Sequence, residues 1–312
     1  MKRSPITAFL TSAAAAILCG ACFTGIESTP RITGADVRQA GALGSPEQAL
    51  TAVVIPEAPS AWAPGKRWLV ADSRISMIFT AASTGTDLAA GDNIVLADSR
   101  RIPTFSGKDG MELRFTGPDG QTLYYRPDIA ADDWADSPSL AVPFAVELSA
   151  VAIADSLMRG HTYYITTPLW YDADGRAVEG LRHVPVTVDS VIPGTERYPL
   201  RVAFTPPHSL GDKQRYILMT YGTASSATRN FDRLFSFNDP RKSYPRITDK
   251  IWDNIIHSRV EEGMTRDECR LALGAPASID RGATRGFQME RWSYDNGVYL
   301  LFEDGILIRF RT

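Results

Sequence analysis

The chain has 312 residues, of which 44% are hydrophobic and 22% are charged, and its formal net charge is only −3. No stretch of Lys and Arg is long enough to form the basic stripe that follows a phosphate backbone, which excludes nucleic acid as a partner. A chain of this length exceeds the usual size of one hydrophobic core, so two folded domains are expected.

The N-terminus has the organisation of an export signal. Lys2 and Arg3 supply positive charge, and the apolar, alanine-rich run from Ile6 to Ala21 follows them. This run is too short, and its side chains too small, for a transmembrane helix, which needs about 20 strongly apolar residues. Its end, Leu18-Cys19-Gly20-Ala21-Cys22, resembles the lipobox of lipoprotein signal peptidase, with Cys19 in place of the usual Leu. The resemblance implies removal of residues 1–21 and acylation of Cys22, typically with palmitate. An ordinary secretory signal with two incidental cysteines is the alternative.

The cysteine count favours lipidation. The chain has three cysteines, and cleavage before Cys22 would leave only Cys22 and Cys269. These two residues cannot form a disulfide framework, whereas acylation of Cys22 accounts for one of them. Each buried CH₂ of an acyl chain contributes about 0.8 kcal/mol, so several chains hold a protein firmly on a membrane. Because the remaining sequence has no second long apolar run, Cys22 is the predicted anchor.

Residues 22–64 are predicted to be a tether, because they are rich in Thr, Ala, Gly, Ser and Pro. Short helices are expected at 35–39 and at 46–50. The second would have Ser45 as its N-cap and Pro46 at its first position. The predicted role of this tether is spacing or docking.

Residues 65–225 are predicted to form a mostly antiparallel β domain, because short apolar segments alternate with turn signals. The strand candidates are the segments around Ile75–Phe79, Met111–Phe115, Leu123–Tyr125, Thr162–Ile165, Leu169–Tyr171, His183–Val186, Thr187–Val191 and Leu200–Phe204. One helix is expected near Ala150–Leu157. Gly65 and Gly160 open similar segments, which is thin support for an internal duplication.

Residues 226–246 are predicted to be a linker with a short helix. Phe231, Leu234 and Phe235 have the i, i+3, i+4 spacing of one helical face. The proline-containing segment 238–245 follows and would join the β domain to the last part of the chain.

Residues 247–312 carry helix caps and hairpin turns. Thr248 is a candidate N-cap for one helix, and Thr265 with Glu268 forms a capping box for a second, which is expected to end at Gly274. Three strands are predicted around 290–294, 298–302 and 306–310. The predicted fold class is therefore α+β, with a mostly antiparallel β domain followed by a small α-α-β-β-β module.

This module resembles the SmpA/OmlA (BamE-like) family over about Ile247 to Thr312. The resemblance rests on the motifs Gly263-Met264-Thr265, Leu273-Gly274-Ala275-Pro276, Trp292-Ser293-Tyr294-Asp295-Asn296-Gly297 and Phe302-Glu303-Asp304-Gly305-Ile306-Leu307. Members of that family are typically small outer-membrane lipoproteins, and the best known belongs to the machine that inserts β-barrel proteins. Here a β domain that small members lack precedes the module. The resemblance implies a cell-envelope location at the outer membrane, facing the periplasm.

No residues are predicted to be catalytic, and neither a metal nor a cofactor is expected. The histidines at 161, 183, 208 and 257 lack metal-ligand spacing. Asp172, Asp174 and Gly175 resemble the start of a calcium loop without its later ligands, so a β-turn is favoured. Cys269 is expected to be a small core residue. Asp132 and Asp133 beside Trp134 are candidates for sugar binding or hydrolysis, although solvated loop acids are the commoner explanation.

Binding surfaces are favoured over catalysis. Arg291, Arg309 and Arg311 are candidate lipid or partner contacts, because strand alternation groups them on an outward face, although a solvated basic face is the commoner explanation. Four tryptophans are expected to line a ligand groove or to pack in the core, and the core is the commoner place for large aromatic residues: Trp62, Trp68, Trp134 and Trp170. Two functions follow as hypotheses. The first is a non-catalytic structural or assembly lipoprotein that contacts envelope proteins or lipids. The second is a lipoprotein whose β domain binds a glycan or a peptide.

Overall fold

The computed structural model describes residues 46–105, 107–206, 213–222, 229–284 and 286–311. Within these residues the chain forms three antiparallel sheets together with several short helices, so the fold is α+β. Each sheet has its own cluster of buried apolar side chains. Residues 65–225 were expected to share one β domain, and they contain two sheets with separate cores.

The first sheet contains five strands in the order β4-β3-β2-β1-β5. Its strands are β1 Arg67–Val70, β2 Asn93–Pro103, β3 Asp109–Thr116, β4 Thr122–Tyr125 and β5 Ala145–Glu147. Alternate residues of a strand point to opposite faces, and here one face is apolar. Trp68, Leu113 and Phe115 are almost completely buried on that face.

One strand prediction in this region is wrong. The alternating residues Ile75, Met77 and Phe79 were expected to be extended, but Ser73–Ile78 forms a 3-10 helix. The carboxylate of Asp72 accepts a hydrogen bond from the backbone N–H of Arg74 and caps this helix. A local cap of this kind offers the backbone an alternative to a strand ladder. Ile75 still reaches the core, whereas Met77 is 78% exposed.

The second sheet contains seven strands in the order β12-β6-β9-β10-β11-β7-β8. Its strands are β6 Thr162–Ile165, β7 Leu169–Tyr171, β8 Ala177–Glu179, β9 Val184–Pro193, β10 Leu200–Thr205, β11 Arg215–Met219 and β12 Phe235–Ser236. The segments His183–Val186 and Thr187–Val191, which were predicted as two strands, belong to one continuous strand, β9, which begins at Val184. Asp172–Gly175 forms the β7–β8 turn, as predicted.

Two helices pack on the core of the second sheet. Helix α1 spans Pro46–Val53 and helix α2 spans Leu148–Met158. The prediction of a helix near Ala150–Leu157 is confirmed. Val54, directly after α1, is 2% exposed and belongs to this core. Residues 46–64 of the predicted tether therefore contain structured and buried positions, while residues 22–45 lie outside the described residues.

Two short helices lead to the last part of the chain. Helix α3 spans Phe231–Leu234, at the predicted position, and α4 spans Pro240–Ser243. Phe231 and Leu234 are buried in the core of the second sheet. This part of the predicted linker is thus packed against the β structure.

The last part of the chain contains helices α5 Asp249–Ile256 and α6 Arg266–Leu273. Thr248 caps α5, and Thr265 with Glu268 forms the capping box of α6, as the sequence predicted. Four strands follow, which we call the terminal sheet: β13 Ser278–Thr284, β14 Phe287–Ser293, β15 Tyr299–Glu303 and β16 Ile306–Arg311. The predicted three strands correspond to β14–β16, so the order is α-α-β-β-β-β. Strand β13 was missed because its sequence, SIDRGAT, lacks an apolar alternation.

Arg182 and His183 join the second sheet to α5 and α6. Arg182 donates to Thr166 O (2.8 Å), Ser258 Oγ (3.1 Å) and, more weakly, Leu273 O (3.4 Å). The ring Nε2 of His183 lies 3.1 Å from Leu271 O. Burial lowers the pKa of Arg182 to about 10, which shows how far this guanidinium is withdrawn from water.

Candidate functional site

The terminal sheet has two faces of different character. Directly opposed residues of antiparallel strands share a face, and so do residues two apart along a strand. The inner face packs against α5 and α6, and its most buried residues are Trp292, Leu300, Phe302 and Leu307. The opposite side, which we call the outer face, carries the three arginines singled out in the sequence.

Strand register groups the three arginines on the outer face. Leu301 of β15 lies opposite Arg291 of β14 on one side and opposite Arg309 of β16 on the other. Arg311 lies opposite Tyr299. All three arginines are exposed. The guanidinium carbon of Arg291 lies 5.3 Å from the centre of the Tyr299 ring, a cation–π distance that stabilises its position.

Apolar side chains surround these arginines. Phe287 is 46% exposed and Ile306 is 41% exposed, and both belong to the outer face. A register shift between Leu301 and Phe302 inserts an extra residue into β16, so that Leu307 points inward while Ile308 is 38% exposed. The outer face therefore combines positive charge with exposed apolar area, a composition typical of interaction surfaces.

The charge of the outer face is only partly balanced. Among the described residues, no carboxylate lies within salt-bridge distance of the three arginines. Asp280 lies opposite Arg291 on the neighbouring strand without forming an ion pair, and Glu303 is the other acid of this face. The guanidinium groups are thus free to bind an anionic group.

On the inner face, by contrast, the acidic group is buried and paired with arginines. Glu290 is 8% exposed, and its Oε1 lies 2.5 Å from Arg266 Nη1 and 3.6 Å from Arg281 Nε. Its Oε2 accepts a hydrogen bond from Trp292 Nε1 at 3.1 Å. Burial alone would raise the pKa of Glu290, but the Trp292 hydrogen bond and the arginines outweigh burial and lower it. Glu290 and its partners line a cavity of ≈ 450 Å³ beside α6.

The predicted lipidation site, Cys22, lies outside the described residues. None of the described helices has both the length and the apolar character that crossing a bilayer requires.

The candidate acids Asp132 and Asp133 line a solvent-exposed cleft with Arg101. Arg101 Nη2 lies 3.0 Å from Asp132 Oδ1, and Asp132 is 86% exposed in its side chain. Trp134 is not among the residues that line this cleft, and its ring packs edge-on against Trp62 with 6.2 Å between centres. The geometry is that of a solvated ion pair at a loop.

Histidines and acids do not gather into a metal centre in the described part of the chain, where no three His, Cys, Asp or Glu residues have suitable geometry. His208 lies outside that part. The turn at Asp172–Gly175 is closed by hydrogen bonds and by an Arg176–Asp174 ion pair of 2.9 Å. Cys269 is completely buried, and burial raises the pKa of its thiol to about 12, as expected for a core residue rather than a nucleophile.

The four tryptophans do not form a common groove. Trp62 and Trp68 stack edge to face with 4.8 Å between ring centres in the core of the first sheet, where Trp134 also packs. Trp170 is 2% exposed and packs on Phe204 in the core of the second sheet. These tryptophans are mainly core residues.

One buried charge cluster was missed by the sequence analysis. Lys66 Nζ lies 2.6 Å from Glu57 Oε2, 2.8 Å from Glu147 Oε1 and 2.9 Å from Ser149 Oγ. The side chains of Lys66 and Glu147 are each 6% exposed. No local motif reveals this cluster, because Lys66 and Glu147 are 81 positions apart in the chain.

The Lys66 cluster has the residues of a Ser–Lys nucleophile but not its electrostatics. A Ser–Lys pair needs a neutral amine that can take the proton of the hydroxyl. Here Lys66 Nζ donates to Ser149 Oγ and to two carboxylates, and the Ser149 hydroxyl donates to Glu147 Oε1 at 2.6 Å rather than to the amine. The cluster fits a structural role that ties Glu57 to the first sheet.

Comparison of the chain with protein-family models, with curated proteins and with solved structures finds no match. The evidence for function is therefore the sequence and the geometry of the residues described above.

Proposed function

We propose that the protein is a membrane-anchored lipoprotein of the cell envelope with a non-catalytic structural or assembly role. The observation that carries this proposal is the outer face of the terminal sheet, where Arg291, Arg309 and Arg311 lie among exposed apolar side chains without carboxylate partners among the described residues. Such a face suits the surface of an anionic envelope protein or an anionic lipid headgroup layer.

Two features of the sequence support the envelope location. The export signal and the lipobox-like segment predict an acylated Cys22 at the mature N-terminus, and we propose that it anchors the protein to the outer membrane, facing the periplasm. The resemblance of residues 247–312 to the SmpA/OmlA family agrees with that location, because its members are typically outer-membrane lipoproteins.

The docking role is tested by site-specific crosslinking in cells. A photoreactive phenylalanine analogue placed at Phe287, on the outer face, is expected to capture an envelope protein or a lipid. The matched control is the same analogue at Phe105, which is fully exposed in the β2–β3 loop, far along the chain from the terminal sheet. Equal capture from both positions, or none from Phe287, contradicts the proposal.

The anchor is tested separately by mass spectrometry of the mature N-terminus with membrane fractionation. Wild-type protein is expected to carry fatty acyl chains on Cys22 and to sediment with membranes, whereas Cys22→Ala is expected to lose both properties. A Cys22→Ala variant that remains acylated and membrane-bound would disprove the anchor assignment.

A further inference from the structure

A second cavity lies between the first and second sheets. Its volume is ≈ 280 Å³, close to the lower end of the range of about 300 to 1,000 Å³ that small-molecule sites occupy. Strand β5, the loop before it, the β9–β10 loop and the end of β11 all contribute to its wall. Junctions between packed units are a preferred place for ligand sites.

The wall of this cavity is mainly apolar. The apolar lining residues are Pro56, Trp68, Leu140, Ala141, Val142, Ala145 and Pro199. Trp68 and Val142 are 1% and 2% exposed, so they form a fixed part of the wall rather than mobile surface side chains. An apolar group bound here would replace water against a preformed surface.

Two polar groups in the wall are incompletely satisfied. The hydroxyl of Tyr221 is buried, and its O–H donates no hydrogen bond among the described residues, although its oxygen lies near the backbone N–H of Glu147. Glu147 is 6% exposed, and its Oε1 binds Lys66 and Ser149 while its Oε2 accepts no hydrogen bond within the described ranges. Tyr221 and Glu147 line the same cavity, and burial and then the negative charge of Glu147 raise the pKa of Tyr221.

The two groups have opposite hydrogen-bonding character. The Tyr221 hydroxyl is an unused donor, and Glu147 Oε2 is an unused acceptor within the described residues. An amide offers the complementary pair, a carbonyl for the hydroxyl and an N–H for the carboxylate. The wall also carries Ser139, Glu196, Arg197 and Thr220, which lie outside this donor–acceptor pair.

We propose that this cavity binds a short apolar peptide segment, with the amide between Tyr221 and Glu147 and the apolar side chain against Trp68 and Val142. A glycan fits less well, because most of the exposed lining surface is apolar and would desolvate its many hydroxyls. The site is separate from the outer face of the terminal sheet and does not depend on docking there.

The probe for this site is N-acetyl-leucine methylamide, titrated into the intact mature chain and followed by calorimetry and by tryptophan emission. Saturable binding is expected. Cellobiose, as the glycan probe, is expected not to bind. Binding of cellobiose without binding of the peptide probe would overturn the proposal.

Tyr221→Phe is the decisive variant, because it removes only the hydroxyl. The dissociation constant of the peptide probe is expected to rise about tenfold. The midpoint of thermal unfolding should change little, since the hydroxyl removed donates no hydrogen bond to any described residue of the unliganded chain. Unchanged affinity in Tyr221→Phe would overturn the assignment of this residue as the donor to the ligand.

Two further variants keep the test specific. Tyr216→Phe is the matched control, because its hydroxyl donates to Gln214 Oε1 and it does not line the cavity. It should leave affinity unchanged. Ala141→Phe places a large side chain at an exposed position of the wall and should abolish binding without unfolding the chain. Full binding by a folded Ala141→Phe protein would show that the probe binds elsewhere.

Discussion

The two faces of the terminal sheet use arginine in opposite ways. On the inner side, Arg266 and Arg281 share the buried carboxylate of Glu290, and Trp292 completes its hydrogen bonding. On the outer face, Arg291, Arg309 and Arg311 are exposed, and no carboxylate of the described chain pairs with them. The inner charges therefore stabilise the fold, whereas the outer charges remain exposed and without an ion-pair partner in the described chain.

The largest expected effect on stability comes from the Lys66 cluster, in which the ammonium group and the Glu147 carboxylate are both buried. Lys66→Met would leave the Glu147 carboxylate buried without its cation, which costs about 3–5 kcal/mol of unfolding free energy. Denaturant unfolding measures this loss. A double variant, Lys66→Met with Glu147→Gln, should recover part of it, and a loss below about 1 kcal/mol in the single variant would show that the cluster is not structural.

Breaking the inner pair of the terminal sheet should have a smaller effect. Arg266→Met removes the closest partner of Glu290, but Arg281 and Trp292 remain, and Arg266 itself is 43% exposed in its side chain. We expect a loss of about 2 kcal/mol, below the full value for a deeply buried pair. A cycle with Glu290→Gln should show coupling between the two positions, and strictly additive losses would contradict the pairing.

His183, which joins the second sheet to α6, should make folding stability depend on pH, and no such dependence is expected from the arginines of the outer face. Burial lowers the pKa of His183 below its ordinary value of 6.5. Since Leu271 O can only accept, His183 Nε2 carries the proton and Nδ1 is left without a partner. The unfolded chain therefore binds more protons than the folded chain as pH falls through 6.5, and folding stability decreases.

Hydrogen exchange of α6 amides measures this effect. We expect protection to fall by about 1 kcal/mol between roughly pH 7.5 and 5.5. His183→Gln should remove most of this dependence. The half-exposed His257 provides the control, since His257→Gln should retain it, and equal pH dependence in all three proteins would exclude His183 as its source.

Outer-face substitutions should have the smallest effect on stability. Arg309→Gln and Arg311→Gln remove exposed charges that have no ion-pair partner in the described residues, so each should change the unfolding free energy by less than about 0.5 kcal/mol. Thermal unfolding followed by circular dichroism is sufficient to measure this. A loss of more than about 2 kcal/mol would place these arginines with the structural group instead.

Local signals in the sequence predicted the last part of the chain well. Thr248, Thr265 and Glu268 determine helix starts through contacts within one turn, so the caps were visible without tertiary information. The period of two along a strand likewise grouped Arg309 with Arg311. Strand β13 escaped detection because only pairing with β14 keeps its polar sequence extended.

Long-range contacts set the limit for the rest. The Lys66–Glu147 pair and the Tyr221–Glu147 cavity join segments far apart in sequence, and no spacing rule connects them. The 3-10 helix at Ser73–Ile78 was mistaken for a strand because its apolar residues alternate as they would in a strand. The Asp72 side chain caps the helix and favours the helical backbone instead. In each case tertiary or capping contacts, rather than periodicity, determine the structure.

The role of the outer-face arginines in binding is tested most directly by one variant. It combines Arg291→Gln, Arg309→Gln and Arg311→Gln with the photoreactive analogue at Phe287. We predict that crosslinking to the envelope partner falls at least about tenfold, while the unfolding free energy stays within about 1 kcal/mol of the parent chain. Unchanged crosslinking by the folded triple variant would contradict the claim that these arginines bind the partner.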